Sequence, residues 1–348
     1  MNDIRIALFA GAVGCALGMQ FPAPAAAQAV ETVLHSFGAD LGTDGVRPYA
    51  SLVDVKGLLY GTTEYGGKHG YGAVFSLSPD GKTENAVYSF CSQKKCTDGE
   101  YPLAGLINVE GTLYGTTFEG GTNNSGAVFS LDSNSGAEQM LHAFGSGTDG
   151  ARPDASLIDV NGVLYGTTQR GGASGKGTVF SLDPGTGTEQ VVYSFCSKQK
   201  CADGQFPDAN LINVNGTLYG TTQRGGAKKG GTVFSLDPDT GAQTVVYSFC
   251  SQQNCADGQF PLAGLIDVNG TLYGTTFAGG ANKSYGAVFA LDPGTGATTM
   301  VYSFCSQPGC SDGEYPQATL INVKGRLYGT TQGGGAHGYG TVFSITNP

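Results

Sequence analysis

The side chains with chemical potential recur at fixed places. Directly after six Thr-Thr pairs stand Glu64-Tyr65, Phe118-Glu119, Gln169-Arg170, Gln223-Arg224, Phe277-Ala278 and Gln332-Gly333. Directly after six loop prolines stand Tyr49, Leu103, Asp154, Asp208, Leu262 and Gln317. Arg170 and Arg224 carry the planar fork that holds a carboxylate or phosphate bidentately. Glu64 and Glu119 lie on adjacent units and could form the carboxylate pair of a glycoside hydrolase. His69 and His337, with Tyr71 and Tyr339 nearby, could supply the acid–base set of a polysaccharide lyase. There is no Gly-x-Ser-x-Gly elbow and no His-Glu-x-x-His pair.

The two sets vary together. Leu accompanies Phe in units 2 and 5, and Asp accompanies Gln-Arg in units 3 and 4. Packing alone would explain Leu103/Phe118 and Leu262/Phe277. Ion pairing within a unit would explain Asp154–Arg170 and Asp208–Arg224, and it contributes little when exposed. The functional reading is a mouth with apolar patches and an arginine-bearing side, formed by Tyr49, Phe118, Asp154, Arg170, Asp208, Arg224, Phe277 and Gln332. The aromatic residues before the loop prolines (Tyr101, Phe206, Phe260, Tyr315) either stack on sugar rings or pack under the loop.

These residues are placed by a repeat. Tyr-Gly-Thr-Thr begins at Tyr60, Tyr114, Tyr165, Tyr219, Tyr273 and Tyr328. Each unit of roughly 54 residues holds four short β patterns. In unit 3 these are Ser156 to Val160 (A), Leu164 to Gln169 (B), Thr178 to Leu182 (C) and Gln190 to Phe195 (D). A–B turns such as Asn161-Gly162, and C–D turns such as Asp183 to Gly187, are tight. B–C and D–A connections are longer and variable, so recognition is expected on the face they share.

Six four-stranded units predict an all-β, six-bladed β-propeller, with an open β-solenoid as the other arrangement. A lone D-type strand, Val33 to Phe37, precedes the first A strand, and Thr341 to Ile345 is a C strand with no D after it. The N-terminal strand is therefore expected to join the last blade and close the ring. Residues 30–348 form one domain on this reading.

Residues 1–29 read as a signal peptide. Arg5 is the basic region, Ile6 to Met19 is apolar, and cleavage is expected after Ala27 or Ala29. The stretch before Cys15 is short and Ala12 fits a lipoprotein signal poorly. No later apolar run is long enough to span a membrane. The net charge of −10 argues against nucleic acid and anionic membrane surfaces as partners.

The other eight cysteines form local pairs: Cys91/Cys96, Cys196/Cys201, Cys250/Cys255 and Cys305/Cys310. Exported context and the lack of clustered His or acidic ligands favour four loop disulfides over metal sites. No metal and no cofactor are expected. Unit 3 is entered by a shorter loop, Phe144 to Asp149, without cysteines.

The recurring LYGTTxxGG followed by GTVFSLD resembles the GloVer tandem repeat of exported bacterial proteins, over Val33 to Ile345. The resemblance implies export and repetition, and it implies no catalytic residue. Members often end in a sorting anchor. This chain stops soon after its last strand, which suggests a soluble protein; a periplasmic or secreted location and a monomeric state are expected. The expected function is a binding module for a glycan or a surface protein. A carbohydrate-active enzyme and a structural repeat protein are the alternatives.

Overall fold

The computed structural model describes residues 33–38, 44–145, 147–282 and 284–346. The proposed signal peptide lies outside the described residues. The chain is a six-bladed β-propeller built from antiparallel sheets. In blade 3 the strands are Ile158–Val160, Val163–Thr168, Thr178–Asp183 and Thr188–Ser194, paired in the order A-B-C-D. Blades 1, 2, 4 and 5 repeat this order. No helix among the described residues is long and apolar enough to cross a membrane.

The Tyr-Gly-Thr-Thr motif has a steric explanation. A Cβ on Gly166 would lie 2.6 Å from Phe180 Cζ and 2.8 Å from Leu157 Cδ2. Gly61, Gly115, Gly220, Gly274 and Gly329 meet the same Phe and Leu pair in their own blades. Only glycine lets the C-strand ring cross the B strand this closely. The first Thr of the pair bonds across to the next blade, as when Thr167 Oγ1 donates to Ala209 O at 3.2 Å.

Blades stack through phenylalanines. The Phe ending each D strand packs edge-on against the C-strand Phe of the following blade: Phe90 on Phe129, Phe144 on Phe180, Phe195 on Phe234, Phe249 on Phe289 and Phe304 on Phe343. The D-strand rings are fully buried, each contributing roughly 2–3 kcal/mol of apolar burial.

The expected closing strand takes one of its two roles. Phe37 packs on Phe75 at 4.9 Å, as Phe90 does on Phe129 at 5.0 Å. Leu34 O lies against Gly81 as Leu141 O lies against Gly187. Residues 34–37 thus sit on blade 1 as a D strand sits on the next blade. The ladder to Thr341–Thr346 is the part not formed: among the described residues that strand pairs only with Arg326–Gly333. Val342 is 79% exposed, whereas its counterparts Val74, Val128, Val179, Val233 and Val288 are all at 0%. Likewise Leu52 is 49% exposed where Leu157, Leu211, Leu265 and Leu320 are at 1%. Residues 31 and 32 lie outside the described residues.

Candidate functional site

The face bearing the B–C and D–A loops is organised by the residue before each loop proline. Arg47, Tyr101, Arg152, Phe206, Phe260 and Tyr315 all hold left-handed backbone, with φ of 57–59°. For bulky side chains this conformation costs roughly 1–2 kcal/mol each. Except at Arg47, a backbone hydrogen bond to the preceding blade helps hold it. Tyr101 N donates to Tyr71 O at 2.9 Å, and Phe118 N donates to Tyr101 O at 2.9 Å.

Each of these side chains except Arg47 then folds back onto the preceding blade. Tyr101 meets Tyr65 at 5.3 Å and Tyr71 at 5.8 Å between ring centroids. Arg152 stands over the Phe118 ring at 5.4 Å and bonds Glu119 at 3.4 Å. Phe206 lies under Arg170 at 4.6 Å and Lys176 at 5.1 Å. Phe260 lies under Arg224 at 4.8 Å. Tyr315 stacks on Phe277 at 5.0 Å and touches Tyr285. Arg47, beside the open edge, bonds Glu64 at 3.4 Å and covers Tyr65 within its own blade. The pre-proline aromatics therefore pack against the loop of the preceding blade, and Tyr101 also lines a cleft there.

Two of the clefts on this face are lined by the variable positions. One, of about 250 Å³, is lined by Glu64, Tyr65, Tyr101, Leu103, Phe118 and Glu119. The other, of about 480 Å³ at the channel mouth, is lined by Tyr49, Glu64, Leu103, Asp154 and Gln317. They share Glu64 and Leu103. Tyr49 is 68% exposed at their edge. Gln317 Nε2 donates to Gln332 Oε1 at 2.8 Å, so the two variable sets meet in blade 6.

The proposed ion pairs within blades 3 and 4 are not present among the described residues. In the Gln-Arg pairs the arginine turns outward to the ring of the next loop. Asp154 and Asp208 instead face burial. Burial pushes the Asp154 carboxyl up to about 6. Burial and then the Asp154 charge push Asp208 up to about 7, with Gln169 and Arg170 offsetting part of the rise. One oxygen of Asp208, Oδ1, is buried without a hydrogen-bond partner.

The catalytic readings gain little. Glu64 and Glu119 line one cleft, but each is engaged by an arginine. Glycoside hydrolysis needs two carboxyls in different roles. His69 and His337 are exposed at loop tips, and nothing among the described residues brings them together.

The Asp of each D–A loop is structural. Tyr193 Oη, Ser197 N and Ser197 Oγ all donate to Asp203 Oδ2 at 2.8–2.9 Å. Asp98, Asp257 and Asp312 repeat this. Burial opposes the Asp312 anion, but the donors from Tyr302, Ser306 and Gln307 outweigh it and hold the carboxyl down to about 2. All four of these loops carry a disulfide: Cys91–Cys96, Cys196–Cys201, Cys250–Cys255 and Cys305–Cys310. Where the disulfide is missing, the Tyr is His. His35 Nε2 meets Asp44 at 3.2 Å and His142 Nε2 meets Asp149 at 3.3 Å. Glu84 completes a set with His35 and Asp44 whose ligand atoms lie within 4.8 Å of one another. Tyrosine takes the histidine's role in the other copies, so the set is primarily a hydrogen-bond network.

Sequence reasoning missed Arg47, Arg152 and Lys176. The signal was present, because Arg47 and Arg152 occupy the same pre-proline column as the aromatics.

A family model described as the Gloeobacter/Verrucomicrobia repeat matches residues 17–209, 88–256 and 196–348. The chain belongs to this repeat family. No curated protein matches it. Among solved structures, it resembles the extracellular domain of a putative one-component system from B. thetaiotaomicron, with a TM-score of 0.53 and 11% identity over 89% of this chain and 34% of that one. The putative hybrid two-component counterpart gives a TM-score of 0.53 and 12% identity over the same shares. A nidogen/laminin complex gives a TM-score of 0.46 and 13% identity over 79% of this chain and 84% of that one. The repeat-family chain thus spans about a third of the two bacterial extracellular chains. At these identities the likeness is one of fold.

Proposed function

We propose that this repeat protein is an exported carbohydrate-binding module that holds a glycan across the mouth between blades 1 and 2. The observation that carries the reading is the cleft where Tyr65, Tyr101 and Phe118 stand beside Glu64 and Glu119. Aromatic faces stack on the apolar faces of sugar rings, and carboxylates accept their hydroxyls. The arginine bonds to both glutamates orient those acceptors before a ligand arrives, which lowers the ordering cost of binding. The disulfides, and the absence of a long apolar helix among the described residues, are compatible with export. In solution the module acts as a monomer outside the cytoplasm.

A glycan array probed with the exported protein tests this. Binding to a defined glycan class, reduced at least tenfold by Phe118→Ala and by Tyr65→Ala with unchanged melting, is the expected result. Retention of full affinity in both variants overturns it.

A further inference from the structure

The six mouth positions are not chemically equivalent. Four arginines reach aromatic rings on this face, and they divide into two pairs. Arg47 and Arg152 are each neutralised by a glutamate at 3.4 Å. Arg170 and Arg224 have no carboxylate within ion-pair distance among the described residues. Lys176, also without one, places a second cation over the same Phe206 ring that Arg170 covers. Asp208 is close enough to Arg170 to feel its charge but makes no direct ion pair with it, and these three cations stand on a chain whose net charge is −10. Like charges drawn to one ring repel each other unless an anion joins them.

The local frame fixes both arginines in the same way. Thr168 Oγ1 donates to Arg170 O at 2.8 Å, and Thr222 Oγ1 donates to Arg224 O at 2.9 Å. Each of these threonines also bonds the first residue of its C strand, Thr178 or Thr232, at 2.8 Å. Blades 1, 2 and 5 begin that strand with alanine, and Thr63, Thr117 and Thr276 are left without a hydroxyl partner. A guanidinium stacked on a ring is held by its face, and its N–H donors remain available at its edge. That edge matches an oxyanion bidentately.

We infer that Arg170, Lys176 and Arg224 form an anion subsite on blades 3 and 4 that selects glycans carrying repeated carboxylates, that is, polyuronates. The inference rests on the glycan-binding reading and extends it across the mouth. Two equivalent arginines one blade apart suit a polymer that repeats its charge, because the second contact forms at high effective concentration.

The test is calorimetric titration of the exported protein with oligogalacturonate, with its methyl ester, with a sulfated neutral oligosaccharide and with inorganic phosphate. Oligogalacturonate should bind at least tenfold tighter than its ester and tighter than the sulfated sugar. Arg170→Leu keeps packing on Phe206, and it should weaken oligogalacturonate at least tenfold while leaving the ester unchanged. Arg170→Lys should not restore the affinity, because it lacks the fork. Arg224→Leu should behave like Arg170→Leu, and the double variant should lose the preference for acid over ester. Arg326→Leu, on the A–B hairpin side, is the control. Equal affinity for acid and ester, with Phe118→Ala still abolishing both, overturns the subsite and leaves the glycan reading standing. No binding of any sugar overturns both. Tighter binding of the sulfated sugar refutes the polyuronate assignment. Equal weakening by Arg326→Leu reduces the effect to general charge and also refutes it.

Discussion

Replacing Asp208 by asparagine should stabilise the protein, and only at the alkaline end of its range. Burial and the neighbouring Asp154 raise the Asp208 carboxyl from 3.8 to about 7. The folded state therefore holds a proton that the unfolded chain has already released. Stability from this group is fully present below the unfolded value and is lost as pH rises through the folded one, so the window runs from 3.8 to about 7. Between pH 5 and pH 8 the wild type should lose up to about 2.5 kcal/mol through this group, a loss that the amide cannot suffer. For a domain of this length that corresponds to about 4 °C in melting temperature. The assay is thermal unfolding of wild type and Asp208→Asn at both pH values. Glu138 and Glu189 are also raised to about 7 by burial, so the comparison must be between variants at each pH. An equal offset at both pH values would refute the reasoning, since the benefit would then not come from the buried charge.

Three further outcomes follow from the same geometry. Replacing Cys196 and Cys201 by serine should cost about 2 kcal/mol, the loop-entropy value for so short a ring, read from denaturant unfolding. Asp203→Ala should cost at least about 3 kcal/mol, because it strips the acceptor from Tyr193 and Ser197 at a fully buried position. His142 is held below its ordinary value by burial, with Asp149 opposing, so its contribution to stability is lost as pH falls. His142→Tyr, which copies the other blades, should therefore reduce the drop in melting temperature between pH 7 and pH 5.

Much of the fold was legible because the repeat exposes its own logic. The Tyr-Gly-Thr-Thr period gives the blade count, and the Asn-Gly and Asp-Pro-Gly turns separate a tight face from a variable one. The cysteine spacing gives four disulfides, as observed. The orientation of Gln169-Arg170 was not legible. Alternation along an extended pair sends one side chain to the channel and the other to the loop, and the sequence does not say which. Asp154 and Arg170 consequently looked like partners, although the arginine stacks on Phe206. The role of the pre-proline residue was hidden for another reason. Its left-handed backbone is unusual for Arg, Tyr and Phe, and no local propensity announces it.

On the proposed reading, the face of variable loops recognises a glycan at the blade 1–blade 2 mouth. The most direct test is a crystal structure of the exported protein soaked with the tightest ligand from the glycan array. A sugar ring is expected against Tyr65, Tyr101 or Phe118, with a hydroxyl on Glu64 or Glu119. A ligand seated on the opposite face, among the A–B and C–D turns, would contradict it.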